Sequence, residues 1–197
     1  MHISEGVLSA PVLISGGVFA AAGTALGLKK IDYDHIARVG ILSATFFVAS
    51  LVHVPIGPSS VHLIMNGLVG LLLGWAAVPA ILVALLLQAV FFQFGGVTTL
   101  GVNTVTMALP AIICFYLFSP FMQKSRKVLL LAGFACGFCG VLFGAVLVGL
   151  ALVFTGKNFL AVAWLVAVAN LPIMIIEGII TAFCVAFLKK VQPGMLP

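Results

Sequence analysis

The apolar residues of this chain lie in long continuous segments separated by short loops. The wall of a β-barrel would alternate apolar and polar residues instead. A continuous run of about 20 apolar residues suits a helix that crosses a bilayer. Of 197 residues, 63% are apolar and 7% charged, and mean hydropathy is +1.35. A soluble domain is roughly 45–50% apolar and about 25% charged. Too few charges remain to cover a soluble surface, which excludes a cytosolic enzyme, a disordered tail and a nucleic-acid binder. Seven spans would use roughly 140 residues and leave under a third of the chain for loops. The reading is an all-α integral membrane protein, a single transmembrane domain over 1–197, folded as a compact bundle.

The apolar runs predict helices at about 11–28, 36–53, 60–76, 78–93, 101–119, 128–154 and 160–188. The third and fourth are divided only by the corner at 76–79, where Pro79 can sit in a first helical turn because its missing N–H is spare there. The net charge of +5 comes from small loop clusters. Lys29, Lys30 and Arg38 follow helix one, Lys124, Arg126 and Lys127 follow helix five, and Lys189 and Lys190 follow helix seven. With seven spans all three groups fall on one side, and Lys157 falls on the other. The positive-inside bias makes the rich side cytoplasmic, which puts the N-terminus outside and the C-terminus inside. Gly23 and Gly27, Gly70 and Gly74, Gly133 and Gly137, and Gly140 and Gly144 are spaced for close helix packing. No internal repeat supports an inverted-repeat transporter.

Residues 1–10 hold Glu5 and no Lys or Arg, unlike the basic start of a signal peptide. Met1 is expected to stay, because the large His2 is a poor context for its removal. The outer face then collects Met1 to Gly6, His53, the turn from Pro55 to Ser60, His62 one turn into helix three, and the loop from Gln93 to Asn103. His35 lies inside with Asp32 and Asp34.

A free N-terminal amine, the His2 backbone nitrogen and the His2 imidazole can hold one ion through a five-membered and a six-membered ring. One more nitrogen, from His62 or His53, would complete four. Such a site suits Ni(II) or Cu(II), and imidazole suits other late metals too. With only Glu5 outside, the oxygen-rich shells of Mg and Ca are not available. Spacing alone leaves His53 and His62 open between ligand and interfacial polar residue.

Cys136 and Cys139 lie mid-span in an apolar run and read, with Cys114 and Cys184, as small packing residues. Glu177 is the only acid within a predicted span, and such residues face the bundle or a partner. It reads either as a coupling residue or as a structural acid paired with Asn66 or Asn103. HExxH, GxSxG and Walker A sequences are absent, so ATP use would have to come from a partner.

The opening Met1-His2-Ile3-Ser4-Glu5-Gly6-Val7-Leu8 resembles the MHIxEGxL start of the CbiM/NikM family, the substrate-capture (S) components of energy-coupling factor transporters for cobalt and nickel. Gly57-Pro58-Ser59-Ser60-Val61-His62-Leu63 is similar to its GxSxHL motif. Residues 94–103 resemble its FGxGGxTxLGxN loop, and Pro172 to Gly178 its seventh helix. The resemblance covers essentially the whole chain. It implies seven helices with residues 1–10 as a metal-binding segment plugged into the bundle. It implies Co2+ or Ni2+ as bound substrate, with no organic cofactor, held by the Met1 amine, the His2 backbone nitrogen and imidazole, and the His62 imidazole. The loop around Asn103 would pack over this segment, with Ser60 and His53 nearby. The implied partners are a transmembrane T component, two cytosolic ATPases and a small accessory membrane subunit. The family loop carries an Asp before its double glycine, where this chain has Gln93-Phe94 before Gly95-Gly96.

Two rival readings use the same residues. A membrane metalloenzyme on His53 and His62 would need a base near the metal, for which only Glu5 is placed. A stand-alone carrier would use Glu177 as a proton relay.

Overall fold

The computed structural model describes residues 2–56, 59–156 and 168–197. Their order is α1 (Ala10–Lys29), α2 (Ile36–Ala49), β1 (His53–Ile56), β2 (Ser59–His62), α3 (Asn66–Leu73), α4 (Ala77–Phe92), α5 (Leu100–Phe118), α6 (Arg126–Thr155) and α7 (Leu171–Val191). Proline opens α1 and α7, and basic residues stand in their last turns (Lys29; Lys189 and Lys190), where they complement the helix dipole.

Among the described residues five stretches are long and apolar enough to cross a membrane, and α2 is a shorter apolar helix. Spans three and four were expected separately. They are α3 and α4, divided by a 3-10 turn at Gly74–Ala76 where the chain reverses: the Leu72 end of α3 meets Arg38, and Gln88 near the end of α4 lies beside His2. Gly74 breaks the helix with φ +54, a conformation glycine adopts without penalty. Large apolar side chains such as Phe19, Phe154 and Phe183 are exposed on the outside of the bundle, as a lipid-facing surface requires.

The main departure from the sequence reading lies between α2 and α3. Helix two was expected to reach 53 and helix three to begin at 60. The chain forms an antiparallel hairpin there, with His53 opposite His62 and Ile56 opposite Ser59. Pro55 disfavours helix at the residue before it and removes a donor, and valine and isoleucine favour strand. His62 therefore sits at the end of a strand. Helix seven was expected over 160–188. Residues 157–167 lie outside the described residues, and α7 runs on to Val191.

α3 is the centre of the bundle, buried from Asn66 to Leu72. A Cβ on Gly70 would stand 2.2 Å from the Ala111 carbonyl oxygen on α5, and one on Gly137 of α6 would stand 2.3 Å from the Glu177 carbonyl oxygen on α7. These glycines let backbones approach as only small residues allow.

Contacts gather the basic clusters at one end. Arg38 donates to the Leu72 carbonyl at 2.7 Å and to the Met195 carbonyl. Lys189 donates to the Met122 carbonyl at 3.3 Å and to Gln123, which itself reaches the Pro197 carbonyl at 3.2 Å. The N-terminal segment, His62 and the loop from Gln93 to Thr99 meet elsewhere, around the N-terminal ends of α3 and α5.

Candidate metal centre

The N-terminal segment is anchored before α1 begins. Ile3 is buried and donates its N–H to Asn103 Oδ1 at 2.9 Å, while Asn103 Nδ2 donates back to the Ile3 carbonyl at 3.1 Å. Asn103 is steadied by Thr99 Oγ1 at 3.2 Å. This reciprocal pair satisfies both backbone groups of a residue that has left water, which an unpaired burial would penalise.

The double-glycine loop supplies the room. Gly95 has φ +77, and a Cβ there would stand 2.7 Å from Asn103 Nδ2. Gly96 has φ +144, and a Cβ there would fall 2.0 Å from Glu5 Cγ. Glu5 donates its N–H to the Gly95 carbonyl at 3.2 Å and accepts from Thr98 N–H at 3.1 Å. Its Oε1 is thus engaged by the loop.

These anchors bring two imidazoles together. The His2 and His62 ring centroids are 4.9 Å apart at an interplanar angle of 34°, and Phe94 stands 5.9 Å from His2. His62 Nδ1 is 2.9 Å from the Leu63 carbonyl oxygen. A carbonyl only accepts, so Nδ1 carries the hydrogen and the neutral ring keeps its lone pair on Nε2. His2 Nε2 is 2.7 Å from Gln88 Oε1. Gln88 lies on α4 and is fully buried.

Among the described residues no three His, Cys, Asp or Glu side chains come together. Two imidazoles do, those of His2 and His62. Met1 lies outside the described residues. The side chains of His53, Ser60 and His35 also lie outside the description. The backbone places His53 opposite His62 and Ser60 opposite Pro55.

Glu177 is 0% exposed and reaches this region from below. One of its two sequence readings paired it with Asn66 or Asn103. Its carboxylate instead accepts Ile64 N–H at 2.5 Å and Met65 N–H at 2.9 Å. Asn66 Nδ2 donates to the Gly140 carbonyl at 3.0 Å, and Asn103 is engaged with Ile3. The reason is local: Met65, the N-cap of α3, turns into the left-handed region at φ 58, which presents its N–H and that of Ile64 to an acceptor. The sequence reading passed over Gln88. The signal was there, a lone amide in an otherwise apolar helix, where polar groups carry function or packing.

The sequence matches the model of the family described as "cobalt uptake substrate-specific transmembrane region" over residues 2–195. The chain belongs to the CbiM family. A Haemophilus influenzae chain, provisionally named a metal transport protein, is 44% identical over 199 residues, covering 100% of this chain and 97% of its own. The fused nickel transport protein NikMN of Rhodobacter capsulatus is 42% identical over 117 residues, covering 55% of this chain and 33% of its own. A crystal structure of a transition metal transporter superposes with a TM-score of 0.81 at 28% identity, covering 98% of this chain and 94% of that one. CbiM is a family of metal transport, not of enzymes. With five crossing-length stretches among the described residues, this CbiM chain is a multi-pass membrane protein.

Proposed function

We propose that this chain is the substrate-capture component of an energy-coupling factor importer and binds Co(II) or Ni(II) at the outer face. The ligands are the Met1 amine, the His2 backbone nitrogen and imidazole, and the His62 imidazole. The observation that carries the reading is the insertion of the N-terminal segment, which sets the His2 and His62 rings 4.9 Å apart. Four nitrogens suit Ni(II), and imidazole suits the other late metals. Residues 1–10 act as the metal-binding segment of a single transmembrane domain over 1–197. The basic end of the bundle faces the cytoplasm under the positive-inside bias, which leaves the N-terminus outside, the C-terminus inside and seven spans between. A transmembrane T component, two ATPases and a small accessory membrane subunit drive release inward.

The test compares Ni(II) binding by the purified chain with its native N-terminus and with one extended by a few residues. Extension removes the free amine and leaves His62 untouched. Loss of tight binding is the expected result. Unchanged binding overturns the N-terminal chelate and moves the site to His62 and His53.

A further inference from the structure

We propose that Gln88 is a positioning residue that sets the tautomer of His2, and so decides which His2 nitrogen can take the metal. The inference rests on the chelate proposed above. Gln88 Oε1 and His2 Nε2 are 2.7 Å apart, joining residues 86 positions distant in the chain. An amide oxygen only accepts, so Nε2 carries the hydrogen and the neutral ring holds its lone pair on Nδ1. Nδ1 is the nitrogen the chelate needs. A ring through the metal, the His2 backbone nitrogen, Cα, Cβ, Cγ and Nδ1 has six members. Nε2 lies on the far side of the imidazole and cannot close it. The other tautomer would place a hydrogen where the metal must sit.

The rest of Gln88 is consistent with this role. The residue is fully buried, and its amide nitrogen has no hydrogen-bond partner among the described residues. Histidine ligands are commonly fixed through their second nitrogen in this manner. His62 is fixed through the opposite nitrogen by the Leu63 carbonyl. The two rings thus carry opposite tautomers, His2 with its lone pair on Nδ1 and His62 on Nε2.

The experiment uses the full chain with a native N-terminus in detergent, as wild type, Gln88→Met and Gln88→Glu. Two quantities are read at pH 8: the Ni(II) dissociation constant, and the 15N shifts of His2 in the metal-free protein, which report the tautomer. Gln88→Met keeps the shape and removes the acceptor. It is expected to raise the Nδ1–H fraction and weaken Ni(II) binding by about 10–100-fold. In Gln88→Glu both oxygens accept, so the Nε2–H tautomer and affinity within a few-fold of wild type are expected. A residue that only filled space would give the reverse order, since Met fits the apolar helix better than a buried carboxylate. Wild-type affinity and tautomer in Gln88→Met would overturn the inference, as would equal losses in both variants. Failure of the wild type itself to bind Ni(II) would sink the capture reading, while the 15N shifts would still decide the tautomer.

Discussion

The carboxylate of Glu177 accepts the Met65 N–H with both of its oxygens, at 2.9 and 3.0 Å, and so ties α7 to the chain three residues beyond His62. Removing the carboxylate leaves the buried Ile64 and Met65 donors unpaired, at about 1–3 kcal/mol for each such group. Glu177→Ala is expected to lower the thermal midpoint and to weaken Ni(II) binding, because the segment holding His62 loses its fixed position. Glu177→Gln, which keeps one acceptor, should lose less of both. Thermal unfolding and calorimetric titration on the same samples check this. A Glu177→Ala protein with wild-type stability and affinity would show the tie to be idle.

His62 and His35 differ in place, one at the end of β2 and the other in the turn just before α2. His62→Ala removes a proposed ligand, so its Ni(II) affinity should fall by at least the roughly 10–100-fold typical of losing a ligand's supporting partner. His35→Ala should leave affinity unchanged. Equal losses in the two variants would count against the site.

Metal binding should weaken as the pH falls. Imidazole and amine ligands donate only when unprotonated, so protons compete with the ion. Imidazoles ordinarily titrate near about 6.5. The sign is fixed: affinity is high above that value and drops through it. Dissociation constants for Ni(II) measured from pH 5 to 8 should rise steeply at the acid end, and a flat profile would argue for donors of another kind.

Asn103 holds Ile3 by both backbone groups. Asn103→Ala leaves that N–H and C=O without their partner and frees the segment that carries His2. Ni(II) affinity should fall by about tenfold or more, since each tenfold is only about 1.4 kcal/mol. Helical content should stay at the wild-type level, because Asn103 lies within α5 and alanine is a strong helix former. Circular dichroism beside a binding titration separates these. Unchanged affinity would mean that the segment is anchored by the Glu5 contacts alone.

Several of these relationships were visible in the chain and several were not. The opening from Met1 to Leu8, His62 and the loop from Gln93 to Asn103 stood out by residue type. The hairpin did not, because Val52 to Leu63 is as apolar as a helix end, and the deciding cues were local: Pro55, the Gly57-Pro58 pair and the flanking valines. Gln88 was overlooked because a single amide in an apolar run marks a position without naming its partner. Its meaning depends on what stands opposite.

Placement in a bilayer and the helical class follow from composition and from the continuity of the apolar runs, since the burial of apolar surface is non-directional and scales with area. Glycine spacing likewise announced close helix contacts. The site was decided only by the tertiary structure. Hydrogen bonds are short and directional, and those that build this centre join residues 86, 100 and 112 positions apart. No local pattern encodes such pairs. They exist because α4, α5 and α7, which carry Gln88, Asn103 and Glu177, are held in one bundle, α5 packing on α4 and α6, and α6 on α7.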